Sequence, residues 1–250
     1  MTFEDSKQRT NEAIAVLRAQ FPVEHFKNAK VLDIGCGTGN GVLAAIHYGA
    51  SIAVGIDRDK NEFGETHFEA VAATQGIDIS RGLLIQGDIF ATSFFDGGFD
   101  VILMFDSIEH VPSPRDFISY MSANLKPGGL GFIKTCPLYY SPVGHHLWQH
   151  FPEDEAPWVH LYKDWEQRLT NAKVNQWGVQ RFRELNKVTR SQVLEILREN
   201  GCNIIKDSSY FHPRFPSLLS RFEHLIDMRN VPLEEDLLCD SLTIVFAKRL

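Results

Sequence analysis

From Lys30 onward, apolar and polar positions follow two alternating rhythms. The runs "VLDIG", "SIAVGID", "GLLIQGD", "FDVILMF" and "GLGFIKT" read as strands, and the stretches over 40–48, 60–74 and 114–125 read as helices. Strand and helix taken in turn predict βαβ units and a mostly parallel sheet. The unbroken apolar run Val101-Ile102-Leu103-Met104-Phe105 fits a strand covered by helices on both faces, with right-handed crossovers between strands.

The flanks extend this pattern. Residues 5–20 place Ala13, Ile14, Val16 and Leu17, then Phe21, on one face before Pro22, which predicts an amphipathic helix in an N-terminal cover over 1–29. Between about 137 and 187 the period is lost: "CPLYYSPVGHHLWQHFPEDEAPWVHLYKDWEQRL" is rich in Pro, His, Trp and Tyr and reads as a lid inserted into a domain spanning 30–250. "TRSQVLEILRENG" then has Thr189 as N-cap, an apolar face of Val193, Leu194, Ile196 and Leu197, and Gly201 as stop. "CNIIKDSSYF" and "SLTIVFAKR", around a helical stretch near 217–229, bring the expected strands to seven. The fold class is therefore α/β, doubly wound, with no internal repeat or low-complexity segment.

Composition narrows the function. A chain of 250 residues with 44% hydrophobic and 23% charged positions can bury a full core. Its net charge of −7 provides no general attraction to phosphate backbones or anionic membranes, so neither a nucleic-acid nor a membrane partner is expected. Cys36, Cys136, Cys202 and Cys239 form no CxxC pair, and no signal-peptide core stands at the N-terminus, which together predict reduced thiols and a cytoplasmic protein. No feature of the sequence sets an oligomeric state.

The chemistry begins at Gly35-Cys36-Gly37-Thr38-Gly39, between the first strand and its helix. Such a loop exposes backbone N–H groups and lets a ligand lie against the main chain. The dinucleotide fingerprint G-x-G-x-x-G fails in both registers, because its third glycine would fall on Asn40 or Val42, and no Gly-Lys-Ser/Thr follows to make a P-loop. Asp33 beside the turn would repel a phosphate and attract an ammonium group, so the expected ligand is cationic there.

"DIGCGTG" resembles the D/E-x-G-x-G-x-G motif of class I S-adenosylmethionine-dependent methyltransferases, and the likeness continues in order over 30–135 through "VGIDRD", "QGDIF", "FDVILMFDSIEHV" and "LKPGGLGFI". The resemblance implies a Rossmann-like sheet and S-adenosyl-L-methionine as cofactor, leaving as S-adenosyl-L-homocysteine. It implies that Asp33, Gly35, Cys36, Gly37 and Gly39 hold the methionyl part. Asp57, with Arg58 beside it, would take the ribose hydroxyls, Asp88 and Ile89 the adenine, and Phe105 would stand at the active-site end of the fourth strand.

Methyl transfer from a sulfonium is an in-line displacement helped by alignment and exclusion of water. A proton-bearing acceptor also needs a base, and His110, at the carboxyl end of the fourth strand, and the pair His145 and His146 are the candidates. Asp106-x-x-Glu109-His110 resembles the E-x-x-E-H metal motif of terminal RNA 2′-O-methyltransferases and some quinone-pathway O-methyltransferases, with Asp where those have Glu. That implies a divalent ion with His145 or His146 completing its shell. The N/D/S-P-P-Y/F element of DNA amino-methyltransferases is absent after the fourth strand. Tyr139 and Tyr140 suit either a pocket wall or the core. The expected activity is transfer to an oxygen of a small molecule. The alternatives are RNA-end methylation, supported by Arg181, Arg183, Lys187 and Arg190, and cofactor binding without turnover.

Overall fold

The computed structural model describes residues 2–58, 65–94 and 98–250. In chain order its elements are α1 (Phe3–Gln20), β1 (Lys30–Ile34), α2 (Asn40–His47), β2 (Ile52–Asp57), α3 (Glu65–Gln75), β3 (Gly82–Gln86), β4 (Phe99–Phe105), α4 (Pro114–Asn124) and β5 (Leu125–Thr135). They continue with α5 (Trp165–Asn171), α6 (Gln176–Glu184), α7 (Arg190–Glu199), β6 (Cys202–Asp207), β7 (Tyr210–Phe211), α8 (Phe215–Phe222), α9 (Glu234–Leu238) and β8 (Cys239–Lys248).

The sheet runs β3-β2-β1-β4-β5-β8-β6, with the short β7 added against β8. β1 to β5 pair in parallel, and β8 is antiparallel to both β5 and β6. Strand order reverses between β1 and β4, so the crevice at their carboxyl ends is the place where such sheets bind ligands.

The period-two alternation sorts each strand between two cores. Leu32, Ile34, Ile102 and Met104 pack with Ile118 and Met121 of α4 and Val193 and Leu197 of α7, whereas Val31, Val101 and Leu103 pack with Leu17 of α1 and Val42 and Leu43 of α2. Both faces are dry, which is why the strands read as continuous apolar runs. Thr2 and Asp5 close a capping box at the start of α1, which buries Ala13, Ile14 and Leu17.

Three expectations shift in detail. The helix expected over 60–74 is α3, and 60–64 lie outside the described residues. The helix expected near 217–229 stops at Phe222 and gives way to 3-10 turns, the second capped where Asp227 accepts from the Arg229 N–H at 3.3 Å. The strand read through "CNIIKDSSYF" divides in two because Asp207 accepts from the Ser209 N–H at 3.0 Å, a local turn that competes with extension.

The aperiodic segment builds a third core. Tyr139, Tyr140, Leu147, Phe151, Trp158 and Phe182 pack with Phe215 and Leu218 of α8 and with Leu237 of α9. Aromatic side chains bury large areas without needing a regular backbone, so the missing period concealed packing. Among the described residues no helix is long and apolar enough to cross a membrane.

Trp158 is wholly enclosed in this core and donates its indole N–H to the Leu237 carbonyl at 3.1 Å. Trp158→Ala should therefore cost about 3–5 kcal/mol, read as a lowered urea midpoint, and Trp158→Phe less. An unchanged midpoint would mean that the segment does not fold as part of the whole.

Candidate functional site

The glycine loop leaves β1 with its N–H groups already committed to the neighbouring strand. Gly35 and Cys36 donate to the Ile56 carbonyl at 2.8 and 3.2 Å, and Gly37 donates to Asp57 Oδ2 at 2.9 Å. Asp57 therefore ties the end of β2 to the loop, and the Gly87 N–H donates to the Asp57 carbonyl at 2.9 Å, drawing in the turn that carries Asp88. Gly35, Gly37 and Gly39 take φ of 71°, 49° and 84°, where a side chain would be strained. A Cβ on Gly35 would also strike the Ser107 hydroxyl, and one on Gly41 would strike the Asp33 carboxylate.

Asp33 lies beneath this loop, 2% exposed, with its Oδ1 buried and lacking a partner. Burial, and then the charge of Asp57, push its carboxyl up to about 8. An isolated buried carboxylate is costly unless a cation arrives, so the free protein holds an unmet demand for positive charge under the glycines. Cys36 is buried, and burial raises its thiol well above the ordinary range, so it packs rather than reacts.

The other residues expected at a cofactor surround the same crevice. Arg58 is exposed just after β2. Asp88 is exposed and accepts from the Phe90 N–H at 2.9 Å, which caps the turn that buries Ile89. Phe105 packs edge-on against Phe132 at 5.1 Å, at the end of β4.

Two polar residues in the crevice were not anticipated. Ser107 donates to the Phe105 or Gly35 carbonyl, at 2.7 and 3.1 Å, and so joins the end of β4 to the loop. Asn40 accepts from Ser6 and Thr10 of α1 at 3.2 and 3.0 Å and donates to Thr38 at 2.9 Å, joining α1 to the loop. The buried polar pair on the otherwise apolar face of α1 was the available signal for Asn40.

The three histidines separate. His145 is fully buried in the third core against Phe151 and His160, with its Nδ1 accepting from the Leu147 N–H at 2.8 Å. Burial pushes it down to about 3, so it is a neutral core residue. His110 and His146 instead meet edge to face at 5.6 Å. Burial and then His146 and Arg181 push His110 down to about 4, while its side chain keeps 34% exposure. His146 is lowered by burial too, holds φ at 57°, and has a buried Nε2 with no partner. Such strain in a non-glycine residue is sustained only by firm surroundings.

Glu109 and Asp106 complete this wall. Glu109 is 2% exposed and burial pushes it up to about 7, with Oε1 3.8 Å from His110 Nε2. Asp106, at φ 44°, accepts from Lys134 Nζ at 3.0 and 3.2 Å and from the Cys136 N–H at 3.2 Å. Tyr139 and Tyr140 are buried in the third core, and Tyr139 also lies edge-on to His160 at 5.0 Å.

A family profile described as a methyltransferase domain matches residues 6–207. The chain is 31% identical over 168 residues to a mitochondrial ubiquinone biosynthesis O-methyltransferase of Dictyostelium discoideum, covering 58% of this chain and 51% of that protein. It is 31% identical over 147 residues to the ubiquinone biosynthesis O-methyltransferase of Caulobacter vibrioides, covering 52% and 56%. The matched stretch thus spans about half the length of these relatives. The crystal structure of magnesium protoporphyrin IX methyltransferase from Synechocystis PCC 6803 with bound SAH superposes with a TM-score of 0.57 at 13% identity, covering 97% of this chain and 82% of that one, a likeness of fold. With the profile matching residues 6–207, most of the chain, this protein belongs to the methyltransferase domain family.

Proposed function

We propose that the protein transfers a methyl group from S-adenosylmethionine to an oxygen of a small-molecule acceptor. The observation that carries this reading is Asp33, a buried carboxylate with an unpartnered oxygen under a glycine loop, which suits the ammonium of a methionyl group and not a phosphate. Bound there, the cofactor supplies a methyl on an electrophilic sulfonium. Asp57 and Asp88 offer acceptors to its ribose and adenine, with Arg58, Ile89 and Phe105 framing them.

His110 is the base in this reading. It is neutral at pH 7 and partly open to a ligand, so it can take the acceptor's proton, and the charges of Asp106 and Glu184 favour the imidazolium that forms. His146 forms the facing wall. His145 supports that wall from within the core.

The residues do not fit the divalent ion implied by Asp106-x-x-Glu109-His110. The ammonium of Lys134 already spans both oxygens of Asp106, and Glu109 is buried. Among the described residues no three His, Cys, Asp or Glu side chains gather closely enough to hold a metal. No step is assigned to one. RNA-end methylation loses support as well, because Arg183 and Arg190 are paired with Glu166 and Asp207. We place the protein in the cytoplasm, in keeping with four free cysteines.

Asp33 sets the sign of one test. A carboxyl raised above its ordinary value stabilises the free protein most below about pH 4, and that contribution is lost as pH rises through about 8. A cationic ligand needs the ionised form, so S-adenosylhomocysteine binding at pH 7 should release close to one proton, measured by calorimetry in buffers of differing ionisation enthalpy. Asp33→Asn should remove that release and weaken binding about 10-fold or more; release that persists in the variant would assign the proton elsewhere.

Asp57→Ala should weaken the same ligand by about 1–3 kcal/mol, and unchanged affinity would remove Asp57 from the site. With an acceptor found by incubating methyl-labelled cofactor with fractionated metabolites, His110→Gln should lower kcat by about 100-fold or more. Because His110 titrates near 4, no loss from its protonation is expected between pH 8 and 6; a fall across that range that vanishes in the variant would contradict the assignment. Label entering RNA instead would overturn the small-molecule reading.

A further inference from the structure

The basic residues between 181 and 190 are not alike. Arg183 pairs with Glu166 at 3.3 Å, and Arg190 pairs with Asp207. Arg181 has no carboxylate within ion-pair distance among the described residues, and its guanidinium lies over the Trp177 ring at 5.6 Å. We propose that Arg181 docks an anionic group carried by the methyl acceptor, so that the acceptor is a small ring compound bearing a carboxylate or phosphate. This rests on the methyl-transfer reading above and assigns its specificity.

Position is the first support. Arg181 is on α6, and the chain just after α6 is fastened to the turn that holds His110: Asn186 Nδ2 donates to the Ile108 and Val111 carbonyls at 2.7 and 2.8 Å, and the Asn186 N–H donates to the Glu109 carbonyl at 2.9 Å. The end of the helix that carries the cation is thereby fastened to the turn that carries the base. Its charge is felt at both His110 and His146, and at His110 its effect is larger than that of either acidic neighbour, Asp106 or Glu184, taken singly.

The surroundings give the ligand class. Trp148 lies 5.9 Å from His146 and is 51% exposed, and Trp177 is 71% exposed. An open indole beside His146 and a guanidinium stacked on a second open indole offer the surfaces that accept a flat ring with one negative edge. A guanidinium stacked on an aromatic face keeps its N–H edge free for a bidentate bond to a carboxylate or phosphate.

The arrangement also has a chemical logic. Left alone, Arg181 disfavours the protonated forms of His110 and His146 and so weakens them as bases. An anion docked on the guanidinium cancels that field. Proton uptake by the imidazole then becomes easier only when an acceptor is in place: the acceptor oxygen takes the methyl as the sulfonium C–S bond breaks to leave neutral S-adenosylhomocysteine, and the acceptor's proton passes to the imidazole.

The test uses three probes of similar shape, benzoate, phenyl phosphate and benzamide, titrated into the whole protein saturated with S-adenosylhomocysteine and followed by tryptophan fluorescence. At least one anion should bind about 10-fold more tightly than benzamide, and the better of the two identifies the group. Arg181→Met should bring that ratio to within about 2-fold while leaving the melting temperature unchanged, and Arg183→Met should preserve it. Binding of no probe, equal binding of all three, or a preference that survives Arg181→Met would overturn the proposal. Failure of S-adenosylhomocysteine itself to bind would instead overturn the methyl-transfer reading, so the two failures are distinguishable.

Discussion

The crevice is organised by one uncompensated charge site, the Asp33 carboxyl group inside the end of β1. Burial forces it toward the neutral form, and Asp57 adds repulsion. One neighbour is fixed by its presence, because a Cβ at position 41 would meet the carboxylate, and the loop above curves through glycines at positive φ. The arrangement is unfavourable for the free protein and becomes favourable when a cation enters, so part of the binding energy of a cationic ligand is the relief of this burial.

The scaffold confines that cost to one point. Two apolar layers seal the sheet on both faces, leaving its carboxyl ends as the place where polar groups collect. Asp57, Ser107 and Asn40 each tie a different element to the glycine loop, namely β2, the end of β4 and α1. The loop is thus shaped before any ligand arrives, which lowers the ordering cost of binding.

The half of the candidate site proposed to hold the cofactor was legible in the sequence because its chemistry is local. Asp33, Gly35, Gly37 and Gly39 fall within seven residues, and Asp57 and Asp88 follow their own strands at βα spacing. The acceptor half was not, because its residues meet only through tertiary packing. Nothing in the order of the chain says that Lys134 would occupy Asp106, that adjacent His145 and His146 would part company, or that Asn186 would fasten α6 to the turn at His110. Strand ends such as that of "CNIIKDSSYF" were misjudged where a single Asp side chain redirected the backbone.

His145 and His146 show most plainly why spacing could not decide function on this side. They are neighbours in sequence, yet the left-handed backbone at His146 turns the two rings to different environments, one ringed by Phe151 and His160, the other facing His110. The third core that encloses the first also supports the second, so the aromatic residues that hid the period of the segment are the ones that hold an imidazole in a strained position. In the methyl-transfer reading, the geometry of this wall is therefore set by what the third core holds rigid, and not by the glycine loop or the acids of β1 and β2.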